Sequence, residues 1–205
     1  MTLFPMFLKL EGRSCLVVGA GNIAESKIRS LLVAGATVRV VAPHARKSVT
    51  DWARAGVILW DARPFEPRDL EGIFLVIAAT ASTELNALIF REAQGRQILC
   101  NAVDDPEHCD FYFPAVVRRG HLQLAVSTAG RSPALAQRLR RELESQFSPQ
   151  YAGWLEELGN TRNHLFQTNP ASEKRRHLLH TLASRKAFEA RQSANRAATE
   201  RIHER

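Results

Sequence analysis

The stretch Ser14-Cys-Leu-Val-Val-Gly-Ala-Gly-Asn-Ile-Ala24 decides the fold. Ser14–Val18 is an apolar run of strand length. Gly19-Ala-Gly21-Asn-Ile-Ala24 follows without a spacer. Ile23, Ile28, Leu31 and Leu32 then recur at helical spacing as far as Gly35, a helix stop. A glycine string of this kind says little alone, but between a strand and a helix it reads as a dinucleotide fingerprint. The first glycine makes the tight turn, the second lets the backbone approach a pyrophosphate, and Ala24 keeps helix and strand close. The helix N-terminus contributes N–H groups and a partial positive charge for the anion. The same string also reads as an ordinary tight turn from strand to helix.

Outward from this unit the alternation continues. Thr37–Val41 reads as a strand, Ser48–Ala55 as a helix and Val57–Trp60 as a strand. Ile73–Ala78 is the continuous apolar run of a central parallel strand covered on both faces. Glu84–Gln94 is a further helix and Ile98–Ala102 a further strand. This rhythm predicts an α/β, Rossmann-like, doubly wound parallel sheet.

The pattern then changes. Phe111–Val117 and His121–Ser127 read as two strands with a hairpin turn at Arg118-Arg-Gly120. Ser132-Pro133 and Ser148-Pro149 are helix starts, each with serine at the cap and proline at the first helical position. Leu135, Leu139 and Leu143 line the first helix, and Tyr151, Trp154, Leu155, Leu158 and Leu165 the second. Asn169-Pro170 breaks that helix, and Ser172 caps a last one bearing Leu178, Leu179 and Leu182. Beyond Phe188 the tail is nearly all polar or alanine and is expected to fray or pack on a partner. Phe147, Trp154 and Leu165 need cover, which argues for a homodimer built from this half.

Composition removes several classes. The 205 residues are 45% hydrophobic and 24% charged, as in a soluble globular protein of one compact domain and a smaller extension. The longest apolar run, Ile73–Ala79, falls far short of the ~20 residues of a membrane helix. The N-terminal residues carry a proline and no basic leader, unlike a signal peptide. Cys15, Cys100 and Cys109 cannot make a disulfide framework, so a reducing cytoplasm is the expected home. The net charge of +7 is uneven: residues 1–113 carry 12 Lys/Arg and 13 Asp/Glu, residues 114–205 carry 16 and 8. The basic half is either a solvated surface or a match for an anion: nucleic acid, an acidic membrane or a polycarboxylate.

Chemistry concentrates at the strand ends. The second strand ends Val40-Val-Ala-Pro43-His44, with no carboxylate for a ribose diol, while His44, Arg46 and Lys47 would suit the 2′-phosphate of NADP. Ala78-Ala79-Thr80-Ala81 ends the fourth strand in small residues beside which a cofactor could lie. Asn101-Ala-Val-Asp104-Asp105-Pro106 follows the fifth strand. One of its two carboxylates can serve as a general base or accept protons from a substrate nitrogen, or the pair is turn chemistry. Cys100, His108, Cys109 and Asp110 are metal-ligand types without metal-ligand spacing, and no metal is expected there. Ser127-Thr128-Ala-Gly130-Arg131-Ser132-Pro133 can bind an anion through its amides with help from Arg131, or is a helix cap alone.

Together these residues resemble the precorrin-2 dehydrogenase family, which is also the N-terminal half of bifunctional siroheme synthases. The resemblance rests on Phe4-Pro-x-Phe7, Cys15–Gly21, Ala24-x-x-Lys27, Ala78-Ala-Thr80, Cys100-Asn-x-Val-Asp104, Phe113-Pro114, Ala125-Val-Ser127 and Gly130-x-Ser-Pro133-x-Leu-Ala136. It covers residues 3–147 strongly and the helical tail weakly. It implies an NAD-binding Rossmann domain over 1–112, a strand-plus-helix dimerisation region over 113–147 and a small helical domain over 148–205, in a homodimer. The implied reaction is oxidation of precorrin-2 to sirohydrochlorin with hydride passing to NAD⁺, and in some members insertion of Fe²⁺. The resemblance assigns Gly19, Gly21, Asn22 and Ile23 to the pyrophosphate, with Pro43 and His44 near the adenosine ribose. Ala79 and Thr80 join the cofactor site, and Asp104 takes the role of catalytic carboxylate. Asn101, Ser127, Thr128, Gly130, Arg131 and Ser132 fall to the substrate. Arg118, Arg119, Arg131 and Arg138 are further candidates to meet a tetrapyrrole fringed with carboxylates. A stand-alone form without the methyltransferase half is expected, with precorrin-2 supplied by a separate enzyme. The competing reading is a dinucleotide-sensing regulator whose basic helical half binds nucleic acid. The Arg and Lys residues are scattered and no recognition-helix pattern is present, so nucleic acid is not the expected partner.

Overall fold

The computed structural model describes residues 2–168 and 173–203, with side chains described as far as Asn195. It divides into two units, Met1–Phe113 with Ala129–Arg131, and Pro114–Thr128 with Ser132–Arg205.

The first unit is a five-stranded parallel sheet. Its strands are β1 (Ser14–Val18), β2 (Thr37–Val41), β3 (Leu59–Asp61), β4 (Leu75–Ala78) and β5 (Leu99–Ala102), in the order β3-β2-β1-β4-β5. That is the doubly wound order expected from the strand–helix alternation. Successive side chains of a strand face opposite sides, and both sides are buried here. Cys15, Val17, Val38, Val40, Leu75 and Ile77 pack on one side with Ala24, Ile28 and Leu31 of α1 (Asn22–Val33) and Val49 of α2 (Lys47–Arg54). Leu16, Val18, Val76, Ala78, Cys100 and Ala102 pack on the other with Leu70 and with Ile89 and Ala93 of α3 (Thr83–Gln94). Burial pushes the thiol of Cys15 up to about 11 and that of Cys100 to about 12, so both act as small apolar core groups.

The third strand starts two residues later than the apolar run predicts. Gly56 sits at φ +70°, and the Val57 N–H still donates to the Trp52 carbonyl, so Val57 and Ile58 belong to the turn leaving α2. Beside β3 lies a charged cluster. Asp69, 1% exposed, accepts two hydrogen bonds from Arg63, one from the Glu66 N–H and one from Arg39. Arg39 also grips Asp61 at 2.6 Å. Burial would raise the Asp69 carboxyl, but the Arg63 and Glu66 hydrogen bonds and the two arginine charges hold it below the ordinary carboxylate range.

The second unit opens with an antiparallel pair, β6 (Ala115–Arg119) and β7 (Leu122–Val126), joined through Gly120 and His121 with Gly120 at φ +58°. The first of these strands therefore begins four residues later than expected and runs through Arg118 and Arg119. Four helices follow: α4 (Pro133–Gln146), α5 (Tyr151–Thr168), α6 (Glu173–Leu182) and α7 (Arg185–His203). Ser132 caps α4, its hydroxyl accepting from the Leu135 N–H. Asn169, Pro170 and Ser172, read as a break and a new cap, lie outside the described residues. The segment read as one last helix is two helices. It breaks at Ser184, whose hydroxyl accepts from the Ala187 N–H, and continues as α7. Phe188, 6% exposed, lies against Tyr151 and Trp154 with ring centroids 4.1 and 4.9 Å away, so the chain itself covers Trp154. Arg191 pairs with Glu157 beyond it.

Two expectations follow. Phe188→Ala should cost about 3 kcal/mol by the cavity it opens, seen in the melt of Trp154 fluorescence. Asp69→Asn should cost about 1–3 kcal/mol at neutral pH. The native Asp69 carboxyl titrates below its unfolded value of about 3.9. Its contribution is therefore complete above that value and is lost as pH falls through the native one. Denaturant melts of wild type and variant should converge on acidification below about pH 4.

Candidate active site

The site begins at one row of the sheet. Val41, Val18, Ala78 and Ala102 stand in register at the carboxyl ends of β2, β1, β4 and β5. The next residues continue the bonding one step further: Gly19 N–H to Val41, Ala79 N–H to Val18 and Val103 N–H to Ala78 carbonyls, at 2.8–2.9 Å. Four loops thus leave the sheet side by side. They carry Gly19–Ile23, Pro43–His44, Ala79–Thr80 and Asn101–Asp104, so the structure brings together the predicted residues of the first unit. In such sheets ligands bind outside the carboxyl ends where strand order reverses, here between β1 and β4.

Gly19 makes that reversal possible. It sits at φ +105°, and a Cβ on it would lie 2.2 Å from the Ala79 carbonyl oxygen. No side chain fits between the two loops. Gly21 differs: its φ is −82°, and a Cβ on it would meet nothing within 4 Å. It is the N-cap of α1, and no side chain caps that end. The space over Gly21 and the N–H groups of the first turn are the donor set and the clearance that a pyrophosphate needs. These residues fit a dinucleotide. Asn22 and Ile23 are exposed beside this opening, as are Pro43 and His44 at the end of β2. Thr80 is held in place: its hydroxyl donates to buried Asn86 at 2.8 Å, and its N–H points to the same oxygen at 3.3 Å. Asn86 carried no signal in the sequence beyond being a polar residue on an apolar helix face.

The loop after β5 sorts its polar groups. Asn101 is buried, and its amide donates to the Phe111 carbonyl at 2.8 Å and to Cys109 Sγ at 3.2 Å. Asp105 pairs with His108 Nδ1 at 2.6 Å. Asp110 accepts from the Cys100 N–H at 2.9 Å and from Gln94 at 2.6 Å. The Cys109 thiol donates to the Ala102 and Asp105 carbonyls. These contacts fold residues 101–111 back on β5. Among the described residues no group of three or more His, Cys, Asp or Glu is placed to hold a metal ion. Among the described residues no hydrogen bond holds the carboxylates of Asp104 and Glu107, both exposed; of the two only Asp104 sits in the left-handed region, at φ +60°.

Lys27 of α1 lies within electrostatic reach of Asp104. Its ammonium lies 3.6 Å from the centroid of the Phe113 ring, and Phe113 packs edge-on against Phe111 at 5.5 Å. Burial lowers the Lys27 ammonium from the ordinary lysine value, and the charge of Asp104 acts to raise it. The residue was visible in the sequence only as part of a motif, because its partners come from segments far along the chain.

The segment 127–132 is a rigid turn. Thr128 Oγ1 accepts from the Ser132 N–H at 3.2 Å and donates to the Ser132 carbonyl, with Ala129 and Gly130 at φ +51° and +77°. Ser127 and Arg131 are exposed. Of the further arginines, Arg119 donates to the Phe147 and Glu144 carbonyls at the end of α4, a capping role. Arg138 pairs with Glu142 at 2.8 Å, and Arg118 is exposed.

Residues 6–115 match a family described as putative NAD(P)-binding, and residues 119–146 match the sirohaem biosynthesis protein central family. The chain is similar to siroheme synthase 1 of Aeromonas hydrophila, 37% identical over 206 residues that span 100% of this chain and 44% of that protein. It is similar to siroheme synthase 2 of Yersinia enterocolitica, 40% identical over 177 residues, 86% of this chain and 37% of that one. The chain therefore spans less than half the length of these relatives. It also resembles the solved structure of SirC, precorrin-2 dehydrogenase, with a TM-score of 0.78 and 28% identity over 90% of this chain and 91% of that one. The open glycine cradle and the matches along both units agree: the chain belongs to the NAD(P)-binding family of the siroheme synthases and precorrin-2 dehydrogenases.

Proposed function

We propose that this chain oxidises precorrin-2 to sirohydrochlorin with NAD⁺ as acceptor, a step of siroheme biosynthesis. The observation that carries the reading is the uncommitted Asp104 on the same carboxyl edge as the open loop over Gly21. NAD⁺, when bound, supplies the hydride acceptor. Gly19, Gly21, Asn22 and Ile23 hold its pyrophosphate, Pro43 and His44 border its ribose, and Ala79 and Thr80 flank it. Dehydrogenation also releases a proton, which needs an acceptor. Asp104 serves as that acceptor, since its neighbour Asp105 is engaged with His108. Lys27 sets a positive charge beside it.

The substrate is a polycarboxylate, and exposed Arg131 is assigned to one of its carboxylates. Asn101, with Ser127, Thr128, Gly130 and Ser132, stays assigned to the substrate on the resemblance. Asn101 does so as a brace for the loop bearing Asp104. Insertion of Fe²⁺ into the product would draw on the same proton acceptor, with the tetrapyrrole nitrogens as ligands. The division at residues 112 and 147 and a homodimer built on residues 113–147 belong to the same reading. The two-stranded β6–β7 sheet, open at both edges, supports it. Among the described residues no helix is long and apolar enough to cross a membrane, and we place the protein in the cytoplasm.

Two variants separate binding from chemistry. Asp104→Asn should lower precorrin-2 turnover by about 100-fold or more with NADH affinity unchanged, and near-normal turnover would move the proton acceptor elsewhere. Gly21→Ala adds a methyl where the fold has room, so the melting temperature should stay within about 3 °C of wild type. The methyl intrudes on the pyrophosphate, so NADH affinity by fluorescence titration should fall about 10-fold or more.

A further inference from the structure

We propose that Glu25 makes this site select NAD(H) over NADP(H), by pairing with Arg46 and setting a negative charge beside it. The inference rests on the dinucleotide reading above and adds the residue that decides between the two nucleotides.

A Rossmann site makes this choice at the end of its second strand. A carboxylate there binds the free ribose hydroxyls of NAD, whereas an arginine accommodates the 2′-phosphate of NADP. Here β2 ends in Val41-Ala42-Pro43, with no carboxylate, and the following residues include His44, Arg46 and Lys47. By composition this is a phosphate-binding edge. The Arg46 N–H donates to the Ala20 carbonyl at 3.2 Å, which ties the residue to the middle of the glycine loop and so to the nucleotide.

Two carboxylates lie among the cations of this edge, each shared between two of them. Arg46 Nε donates to Glu25 Oε2 at 3.0 Å, and Arg29 donates to the other oxygen of Glu25 at 3.2 Å. Lys47 pairs with Asp51 at 2.7 Å. Glu25 lies in the first turn of α1, beside the glycine loop, and its side chain is 19% exposed. The carboxylate missing from β2 is thus supplied by the neighbouring helix. A 2′-phosphate arriving at Arg46 would have to part this pair and then sit beside a like charge, which is discrimination by repulsion as well as by lost attraction. A free ribose diol meets neither penalty. The pair is exposed, so the selectivity it carries is about 5-fold, with the like-charge repulsion adding to it.

The test is equilibrium binding of NADH and NADPH, followed by nicotinamide fluorescence on the full chain without turnover. Wild type should bind NADH more tightly than NADPH. Glu25→Gln, which keeps the shape and removes the charge, should narrow that ratio by about 5-fold or more through tighter NADPH binding. Adding Arg46→Ala to Glu25→Gln should abolish the gain. An unchanged ratio in Glu25→Gln with NADH binding retained would overturn the proposal, and so would a gain that survives removal of Arg46. Wild type that binds neither nucleotide would overturn the dinucleotide reading itself, and with it this inference.

Discussion

The close approach of Gly19 to the backbone of Ala79 is the constraint on which the rest depends. It lies where the strand order reverses, between β1 and β4, and a single methyl there would collide with a carbonyl oxygen. Because no methyl is present, the two loops leave the sheet in contact. The carboxyl ends of four strands then form one row. The opening over Gly21, the positive end of α1 and the loop bearing Asp104 are placed by that row. The apolar strands supply rigidity, since they are buried on both faces and have one way to stack.

A second regularity concerns where polar groups are committed. Around β5, Asn101, Asp105, His108 and Cys109 bond within the loop they help to fold, and Asp110 ties its end to Cys100 of β5 and Gln94 of α3. That commitment leaves Asp104 projecting from a left-handed position, on a loop too well braced to withdraw it. Positioned groups of this kind cost little reorganisation when a reaction begins. On the other side of the glycine loop the opposite holds: cations that would attract phosphate are already paired. One edge of the sheet thereby carries an exposed carboxylate on one side of the glycine loop and paired cations on the other.

Much of this was legible in the sequence. The glycine string and the apolar runs specify the sheet, because each strand's burial is written in its own apolar residues and Gly19 leads directly from β1 toward α1. What was not legible depends on partners far apart. The dipeptide Asp104-Asp105 offers two carboxylates, and which one is left over follows from the backbone turn and from His108. Lys27 gains its place from Phe113 and Asp104, and Glu25 from Arg46. The cover of Trp154 is Phe188, on a helix whose polar composition gave no sign that it would pack. β3 starts late because Gly56 leads Val57 into the turn leaving α2, and β6 because Asn101 holds the Phe111 carbonyl beside β5 before pairing begins.

The most direct measurement is a spectroscopic assay of the purified protein with enzymatically generated precorrin-2 and NAD⁺, in the absence of metal. The account predicts that the sirohydrochlorin spectrum appears together with one NADH per tetrapyrrole. Bound nucleotide without oxidation, with either NAD⁺ or NADP⁺, would contradict it.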